Sequence, residues 1–315
     1  MTVDKDIKTV PDSMAGLRLD QALAKMFPDY SRSRLKAWVL EGAVLVDGEA
    51  IRPRDKVDGG EEIELTPVVE AVLESEPEPM ALDVVHEDEA LLIVNKPAGL
   101  VVHPGAGNPT GTLMNGLLHH APELAEIPRA GIVHRLDKET TGLLLVAKTL
   151  PAHTALVRAL SEREISRHYH AVCQGVLTGG GTIDEPIGRH RVDRTRMSVV
   201  DIGKPAVTHY TVFERFRAHT YIDVRLETGR THQIRVHFAH RRHPLVGDPV
   251  YGGRLAIPSG ASEDLIAALR GFKRQALHAA SLSLEHPTEG GQLKVEAPLP
   301  DDFESLLDAL RADAP

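Results

Sequence analysis

The sequence predicts an α+β fold in which a small N-terminal unit precedes a larger domain. Short apolar or alternating runs typical of strands dominate the middle of the chain, and helical patterns lie between them without strict strand–helix alternation. A stretch rich in proline and glutamate separates the two parts. We therefore divide the 315 residues into a unit over 16–67, an acidic linker over 68–80 and a domain over 81–315.

The N-terminal unit is predicted to contain two helices and a small sheet. Apolar residues recur at helical spacing from Leu17 to Phe27, and Ser31 is a suitable N-cap for a second helix that ends near Leu40. This helix carries a basic group at its start: Arg32, Arg34 and Lys36. Two alternating runs follow as strands, residues 43–46 and 61–65, and Asp47-Gly48 is a hairpin turn signal. The unit resembles the S4-type RNA-binding domain, although a packing role without RNA contact remains an alternative.

In the larger domain, apolar and β-rich runs predict strands over 90–94, 143–147, 210–213, 221–226 and 280–284. Helical patterns cover 112–118, 151–163, 231–240, 263–269 and 302–311. The glycine-rich stretch at 105–111 lacks both the phosphate-binding and the dinucleotide-binding spacings. We therefore expect it to be a tight turn before a helix, and we expect no nucleotide cofactor.

Composition excludes several classes of protein. The single cysteine, Cys173, allows neither an internal disulfide nor a cysteine-based metal site. No apolar run is long enough to span a membrane, and the N-terminus lacks the apolar segment of a signal peptide. We expect a cytoplasmic protein without a membrane partner.

The net charge of −9 hides an uneven distribution of charge. Residues 57–95 contain no Lys or Arg, whereas Pro186 to Arg254 contains thirteen Lys or Arg against six Asp or Glu, together with seven histidines. Such a segment can neutralise phosphates, and arginine suits bidentate phosphate contacts and stacking on bases. A solvated basic face is the alternative interpretation. The histidines at 232, 237, 240 and 243 lack zinc-ligand spacing and a nearby carboxylate in sequence, so we expect no metal.

The segment from Gly131 to Lys148 has the most unusual character. It places a charged loop with one carboxylate, Asp137, between two apolar runs, and Thr140 to Gly142 make the turn back into the sheet. A rigid scaffold of this kind can hold Asp137 open to a cleft. An arbitrary aspartate would more commonly pair with a neighbour such as Arg135 or cap a turn.

The loop His134-Arg135-Leu136-Asp137 with Thr140, Thr141 and Gly142 resembles the hallmark of the RluA-type pseudouridine synthases. Three further blocks agree in order along the chain: residues 94–104, 167–169 and 229–237. The resemblance is strongest to D-type members, which modify large-subunit ribosomal RNA, in residues 29–34, 102–109 and 245–253. The departure is at His168 and His170, where the family has acidic residues around the motif tyrosine.

This resemblance implies a catalytic domain with a mixed, mainly antiparallel sheet, and a cofactor-free isomerase. It implies that Asp137 is the nucleophile, that Arg235 forms an ion pair with it, and that Tyr169 stacks on the base and assists proton removal. The expected substrate-binding residues are His134, Arg135, Thr141, Arg230, Arg32, Arg34 and Lys36. The implied partner is 23S ribosomal RNA, free or in a precursor of the 50S subunit, and the implied target is the loop of helix 69. We expect a monomer.

Two alternative functions remain at this point. The same reaction could act on tRNA or another RNA, because S4-type and basic surfaces recognise shape and backbone more than bases. A non-catalytic RNA-binding factor for ribosome assembly is the other alternative, against which the intact Asp137, Tyr169 and Arg235 argue.

Overall fold

The computed structural model describes residues 5–27, 32–66, 76–105 and 107–313, without the side chains of residues 32–34. The chain divides into two compact units, Met1–Glu74 and Ser75–Pro315, and the division falls inside the predicted linker. No helix in the described ranges has the length and hydropathy that a membrane span requires. Ser31, the predicted N-cap, lies outside the described residues.

The first unit contains two helices and a three-stranded antiparallel sheet. Its elements are β1 (Asp6–Thr9), α1 (Leu19–Met26), α2 (Arg32–Leu40), β2 (Val44–Val46) and β3 (Glu62–Leu65). The strand order is β1-β3-β2, and β1 was missed because its four residues are mostly exposed and charged. The Asp47-Gly48 turn forms, with positive φ at both residues, but it leads into residues 50–61 rather than directly into β3.

The core of the first unit lies between the helices and the sheet. Helix α2 buries Leu35, Trp38 and Val39, whereas Lys36 is exposed to solvent. The apolar face of α2 is therefore used for packing, and its basic residue Lys36 is free for a partner.

The second unit contains a larger sheet with helices packed against it. Its strands are β4 (Val84–Glu87), β5 (Leu91–Lys96), β6 (Thr141–Ala147), β7 (Ser166–Gln174), β8 (Gly181–Asp184), β9 (Ile187–Arg189), β10 (Met197–Val199), β11 (Val207–Arg215), β12 (His219–Leu226), β13 (Leu277–Glu285) and β14 (Gln292–Glu296). Its helices are α3 (Leu113–His120), α4 (Leu150–Glu162), α5 (Gln233–His240), α6 (Glu263–Gly271) and α7 (Asp301–Ala312).

The strand order of the nine-stranded sheet is β4-β5-β6-β13-β7-β12-β11-β8, with β14 paired to β13. All pairings are antiparallel except that of β6 with β13. The predicted α+β class with a mixed, mainly antiparallel sheet is confirmed. Strands β9 and β10 form a separate two-stranded hairpin.

Both faces of the central strands are covered, which explains why their sequences are continuous apolar runs. Along β5, Leu92 and Val94 pack into one core, and Leu91 and Ile93 pack into another on the opposite face. All seven residues of β6 are buried. The loop that precedes β6 is thus attached to a strand that is buried along its whole length.

Part of the predicted linker belongs structurally to the second unit. The backbone carbonyl of Glu76 accepts a hydrogen bond from the Asn115 amide at 2.9 Å, and the Glu78 carboxylate accepts one from the backbone N–H of Gly111. Gly105 and Asn108 exchange backbone hydrogen bonds in a tight turn, as the sequence predicts.

Candidate active site

The loop that carries Asp137 is held at each end by a glycine that no other residue could replace without strain. Gly131 and Gly142 have φ of 74° and 107°, values that favour glycine. An added Cβ would lie 1.9 Å from the carbonyl oxygen of Ala147 at Gly131, and 2.2 Å from that of Ala279 at Gly142. The close approach of β6 to β13 therefore requires the glycine that follows Thr141 and fixes where the loop ends.

Contacts inside the loop fix the backbone next to Asp137. The carbonyl of Asp137 accepts a hydrogen bond from the N–H of Thr140 at 3.0 Å, and the carbonyl of Lys138 accepts one from the Lys96 ammonium at 2.9 Å. Leu136 is buried in the core. The Thr140 hydroxyl accepts a hydrogen bond from the Gln275 amide at 2.9 Å. The carboxylate of Asp137 thus stands on a backbone held by the sheet.

Lys96 is a buried cation whose three donors bond only to backbone carbonyls. Its Nζ lies 2.8 Å, 3.0 Å and 2.9 Å from the carbonyl oxygens of Pro97, Leu100 and Lys138. Burial lowers the pKa of Lys96 to about 8, while the charges of Glu139 and Asp137 act in the opposite direction. Lys96 therefore links the end of β5 to the loop and adds positive charge near Asp137.

Arg235, on the first turn of α5, connects two aspartates. Its Nη1 donates to Oδ2 of Asp137 at 2.8 Å. Its Nε and Nη2 donate to the two oxygens of Asp248 at 2.7 Å and 2.9 Å, a bidentate geometry. Asp248 also accepts from the backbone N–H groups of Val250 and Tyr251. Oδ1 of Asp137 makes no hydrogen bond to any described residue and is the free oxygen of the pair.

The electrostatics of this group keep its members charged. Burial by itself would lower the pKa of Arg235, but the hydrogen bonds and charges of Asp248 and Asp137 raise it above its usual value. Burial would raise the pKa of Asp248, yet Arg235 and two backbone N–H donors hold it below its usual value. The guanidinium is thus a permanent positive charge beside Asp137.

Two further side chains line the carboxylate. His232 precedes α5, and its Nε2 lies 3.8 Å from Oδ1 of Asp137. Its Nδ1 lies 2.8 Å from the hydroxyl of Tyr251, which also accepts a hydrogen bond from the backbone N–H of Met197 at 2.9 Å. The ring of Tyr251 lies beneath the guanidinium of Arg235, with 5.0 Å from carbon Cζ to the ring centroid.

Tyr169 lies on β7, which is separated from β6 by β13 alone. It is 5% exposed and packs in the main core. Burial raises the pKa of its hydroxyl, Arg167 lowers it, and the negative charge of Asp137 raises it further. The Tyr169 hydroxyl makes no hydrogen bond within the part of the chain that the structure describes, so it remains available near the charge of Asp137.

Two of the predicted substrate-binding residues have structural partners instead. The Thr141 side chain is buried in β6, and its hydroxyl lies 2.8 Å from Nδ1 of the buried His278. His134 accepts a hydrogen bond from the backbone N–H of Leu145 at 3.0 Å through Nε2. Burial lowers the pKa of His134 to about 3, so the ring is neutral. Both side chains are therefore engaged inside the second unit, and their contact with a substrate stays a prediction.

The remaining predicted residues have different environments. Arg135 is exposed on the loop beside Asp137. Arg230 is half-buried before α5 and donates from Nε to the carbonyl of Pro205 at 3.0 Å. Lys36 is exposed on α2 of the first unit, and the side chains of Arg32 and Arg34 lie outside the described residues. Among the catalytic candidates, the structure brings Arg235 into direct contact with Asp137.

Sequence reasoning missed Asp248, His232, Tyr251 and Lys96 as members of the site. All four fall in blocks quoted above for the resemblance, but no pattern linked them to Asp137. His232 attracted attention only as one of four histidines weighed as metal ligands. Of the others, His237 bonds to Thr208 and to the Glu185 carbonyl, and His243 bonds to the Gln174 carbonyl.

The hairpin β9–β10 displays arginines beside this site. Arg189, Arg191, Arg194 and Arg196 lie within or between its strands. Met197 bonds to Tyr251, and the Arg196 guanidinium lies 5.2 Å from the Tyr251 ring centroid. The positive segment of the sequence is therefore adjacent to the Asp137 carboxylate.

Comparisons with known proteins agree with this arrangement. Residues 90–240 match the RNA pseudouridylate synthase family, and residues 17–63 match the S4 domain. Ribosomal large subunit pseudouridine synthase D of Escherichia coli strain K12 is 58% identical over 306 residues, which cover 97% of this chain and 94% of that protein. The protein of the same name from Yersinia pestis is also 58% identical over the same length.

Solved structures show the same fold. Human RNA pseudouridylate synthase domain containing 4 superposes with a TM-score of 0.57 at 27% identity, over 72% of this chain and 92% of that one. Human RNA pseudouridylate synthase domain containing 1 gives 0.53 at 25% identity, over 75% and 98%.

The fold and the carboxylate site thus define an RNA-modifying isomerase. The chain belongs to the RNA pseudouridylate synthase family and carries an N-terminal S4 domain. The family and the fold class expected from the sequence are both confirmed.

Proposed function

We propose that this protein isomerises uridine to pseudouridine in large-subunit (23S) ribosomal RNA, in the loop of helix 69, with Asp137 as the nucleophile. The relatives that share 58% of its residues are named ribosomal large subunit pseudouridine synthase D, which supports the RNA class. The sequence blocks that resemble D-type members, residues 29–34, 102–109 and 245–253, support the loop of helix 69 as the target.

The observation that carries the nucleophile assignment is the unequal engagement of the two oxygens of Asp137. Oδ2 is bound by Arg235 at 2.8 Å, and Oδ1 has no hydrogen bond to the described residues. A carboxylate needs no base to act as a nucleophile, and the Arg235 guanidinium supplies a fixed positive charge beside it. One oxygen is therefore anchored while the other is presented to the substrate.

The isomerisation needs one carboxylate, that of Asp137, and no cofactor. The bond from C1′ to N1 of the uracil breaks, the base turns, and a bond from C1′ to C5 forms; C5 loses a proton and N1 gains one. The net change is an isomerisation without a redox step. Attack at C1′, attack at C6 and a glycal route all begin at the Asp137 carboxylate.

The substrate uridine must leave its stack before Asp137 can reach it, which costs a few kcal/mol. Tyr169 is distant from Asp137 in the sequence, but the charge of Asp137 affects its hydroxyl. Its ring provides a surface on which the base can stack, and such stacking is worth about 1–3 kcal/mol. Its free hydroxyl is suited to assist removal of the C5 proton. Arg135 is exposed on the loop that carries Asp137. Its side chain is suited to fill the space that the flipped base leaves, or to bind the adjacent phosphate.

Two basic surfaces suit the RNA backbone. The β9–β10 hairpin carries four arginines and contacts Tyr251 through Arg196 and Met197, and Lys36 is exposed on α2 of the S4 unit. Arg230 has one side-chain donor engaged by Pro205, which leaves the rest of its guanidinium for phosphate.

Tritium release from C5-labelled uridine tests the reaction and the RNA together. We expect release from a 23S fragment containing helix 69 and none from bulk tRNA. Release from tRNA alone would keep the reaction and contradict the RNA target. No release from the fragment or from precursor 50S particles would contradict the catalytic function and favour the assembly-factor alternative.

A further inference from the structure

His232 has an unusual backbone conformation at the position that faces the nucleophile. Its φ is 57°, in the left-handed region that is unfavourable for a residue with a Cβ. The side chain is 21% exposed and directed at Asp137. Strained residues persist where their surroundings hold them, and they concentrate at functional sites.

The hydrogen bonds around Tyr251 set the direction of the proton on His232. The backbone N–H of Met197 can only donate, so the Tyr251 oxygen accepts that bond at 2.9 Å and its O–H can donate to Nδ1 of His232 at 2.8 Å. With Nδ1 as acceptor, a neutral ring carries its proton on Nε2. That nitrogen faces Oδ1 of Asp137 at 3.8 Å.

The charges around His232 favour this neutral form. Burial lowers its pKa, and the nearby guanidinium groups of Arg235 and Arg135 act in the same direction. Asp137 and Asp248 raise the pKa, and burial is the larger effect. The ring therefore has one N–H group, directed at the free oxygen of the nucleophile.

We propose that His232 is a positioning residue that orients the free oxygen Oδ1 of Asp137 through an Nε2–H group fixed by the hydroxyl of Tyr251. The inference rests on the proposed function of Asp137. The distance of 3.8 Å exceeds a hydrogen bond, and catalytic hydrogen bonds are often long before substrate binds and shorten in the complex.

This arrangement ties the nucleophile to the arginine hairpin. Tyr251 takes its hydrogen bond from Met197 on β10 and contacts the Arg196 guanidinium through its ring. RNA that binds the hairpin would hold Met197 and Tyr251 in place, and through them the ring of His232. Asp137 is then oriented when the RNA is seated.

A double-mutant cycle tests this chain of contacts. Single-turnover rate constants and RNA dissociation constants are measured for the wild type, His232→Asn, Tyr251→Phe and the double variant. Asparagine tolerates the left-handed backbone, and phenylalanine removes one oxygen atom. We expect His232→Asn to lower the rate constant by on the order of tenfold or more, with the dissociation constant within about twofold of wild type.

The decisive measurement is the single-turnover rate constant of the double variant. If Tyr251 acts through His232, adding Tyr251→Phe to His232→Asn causes no further loss, although Tyr251→Phe alone slows the wild type by about threefold or more. Independent, additive losses, or a His232→Asn variant at the wild-type rate, would overturn the proposal. His240→Asn on the exposed end of α5 and Tyr210→Phe on β11 are the matched controls, expected at the wild-type rate.

Nitrogen NMR of labelled histidine separates this inference from the proposed function, since it needs no RNA. We expect the His232 ring at pH 7 as the Nε2–H tautomer in the wild type, and a shift toward the other tautomer in Tyr251→Phe. A protonated ring or an Nδ1–H ring in the wild type would overturn the inference even if the enzyme is active. The expected tautomer in a wild type that releases no tritium would instead contradict the proposed function.

Discussion

Asp137 has one oxygen bound and one oxygen free, and the bound oxygen depends on a second aspartate. Arg235 uses two donors for Asp248 and one for Asp137. The Asp248 side chain is 0% exposed, so water cannot replace it. The guanidinium is thus oriented by Asp248, and the Asp137 carboxylate is oriented by the guanidinium.

We expect Asp248→Ala to lower the free energy of unfolding by about 3–5 kcal/mol, because it leaves Arg235 buried without its bidentate partner. Single-turnover activity falls with it, since the guanidinium is no longer held toward Asp137. Urea unfolding and tritium release measure the two effects.

Asp302→Ala is the matched control for Asp248→Ala. Asp302 forms the same bidentate pair with Arg274, but its side chain is 49% exposed. We expect a cost of about 1 kcal/mol and full activity. Equal losses of stability in the two variants would contradict the role given to the burial of Asp248.

The family resemblance predicted the contact of Asp137 with Arg235. It did not predict that Asp248 binds the same arginine. Residues 137 and 235 are 98 positions apart in the chain, and only the folded structure brings them together. Thr141 has a contact that the motif did not indicate. It lies beside the catalytic motif, but the alternation of β6 turns its hydroxyl to His278.

At the scale of elements, the loop before β6 is fastened by a histidine of its own motif. The His134 ring accepts from the backbone of Leu145, in the middle of β6, at 3.0 Å. Burial, with a smaller contribution from Arg167, lowers the pKa of His134 to about 3. Protonation would remove the acceptor and place a charge against the sheet.

This pKa predicts a pH dependence of stability. A histidine in the unfolded chain titrates near 6.5, so the unfolded state binds more protons than the folded state between pH 6.5 and about 3. The stabilisation is complete above pH 6.5 and is lost as the pH falls through that range. Between pH 7 and pH 5 we expect His134 alone to account for a loss of about 2 kcal/mol.

His134→Gln tests this assignment, because glutamine can accept from Leu145 and does not titrate. We expect the loss of unfolding free energy between pH 7 and pH 5 to be smaller in this variant by about 2 kcal/mol. His240→Gln, at an exposed position on α5, should retain the wild-type pH dependence. A His134→Gln variant with an unchanged pH dependence would contradict the neutral state of His134 in the folded protein.

The elements that the sequence predicted well are those buried on both faces or strongly amphipathic. The run at 143–147 appears within β6, and the helical patterns at 151–163 and 263–269 appear as α4 and α6. Strands β1, β4, β7, β8, β9, β10 and β14 were missed. Their residues are largely exposed or polar, so their order depends on pairing rather than on a hydrophobic pattern.

At the scale of the whole molecule, the chain joins two compact units with separate cores. The first unit packs around Trp38 and Phe27, and the second packs on the two faces of its nine-stranded sheet. Neither core borrows residues from the other. We therefore expect the S4 unit to contribute RNA-binding surface.

A variant that begins at Ser75 tests this division of labour. We expect unchanged folding of the second unit, RNA affinity lowered by about tenfold, and a shallower dependence of affinity on salt, because fewer phosphates are contacted. Filter binding across a salt series measures both quantities. Lys36→Glu in the full chain should weaken binding in the same direction, and unchanged affinity in both variants would indicate a packing role without RNA contact.

We propose that the free carboxylate oxygen of Asp137 performs the reaction, and Asp137→Asn removes that oxygen as a nucleophile. The amide can keep the contact with Arg235 but is no nucleophile. We predict loss of tritium release from the helix 69 fragment with RNA affinity within about twofold of wild type, while Glu139→Gln on the same loop stays active. Turnover by Asp137→Asn at a measurable fraction of the wild-type rate would contradict the account.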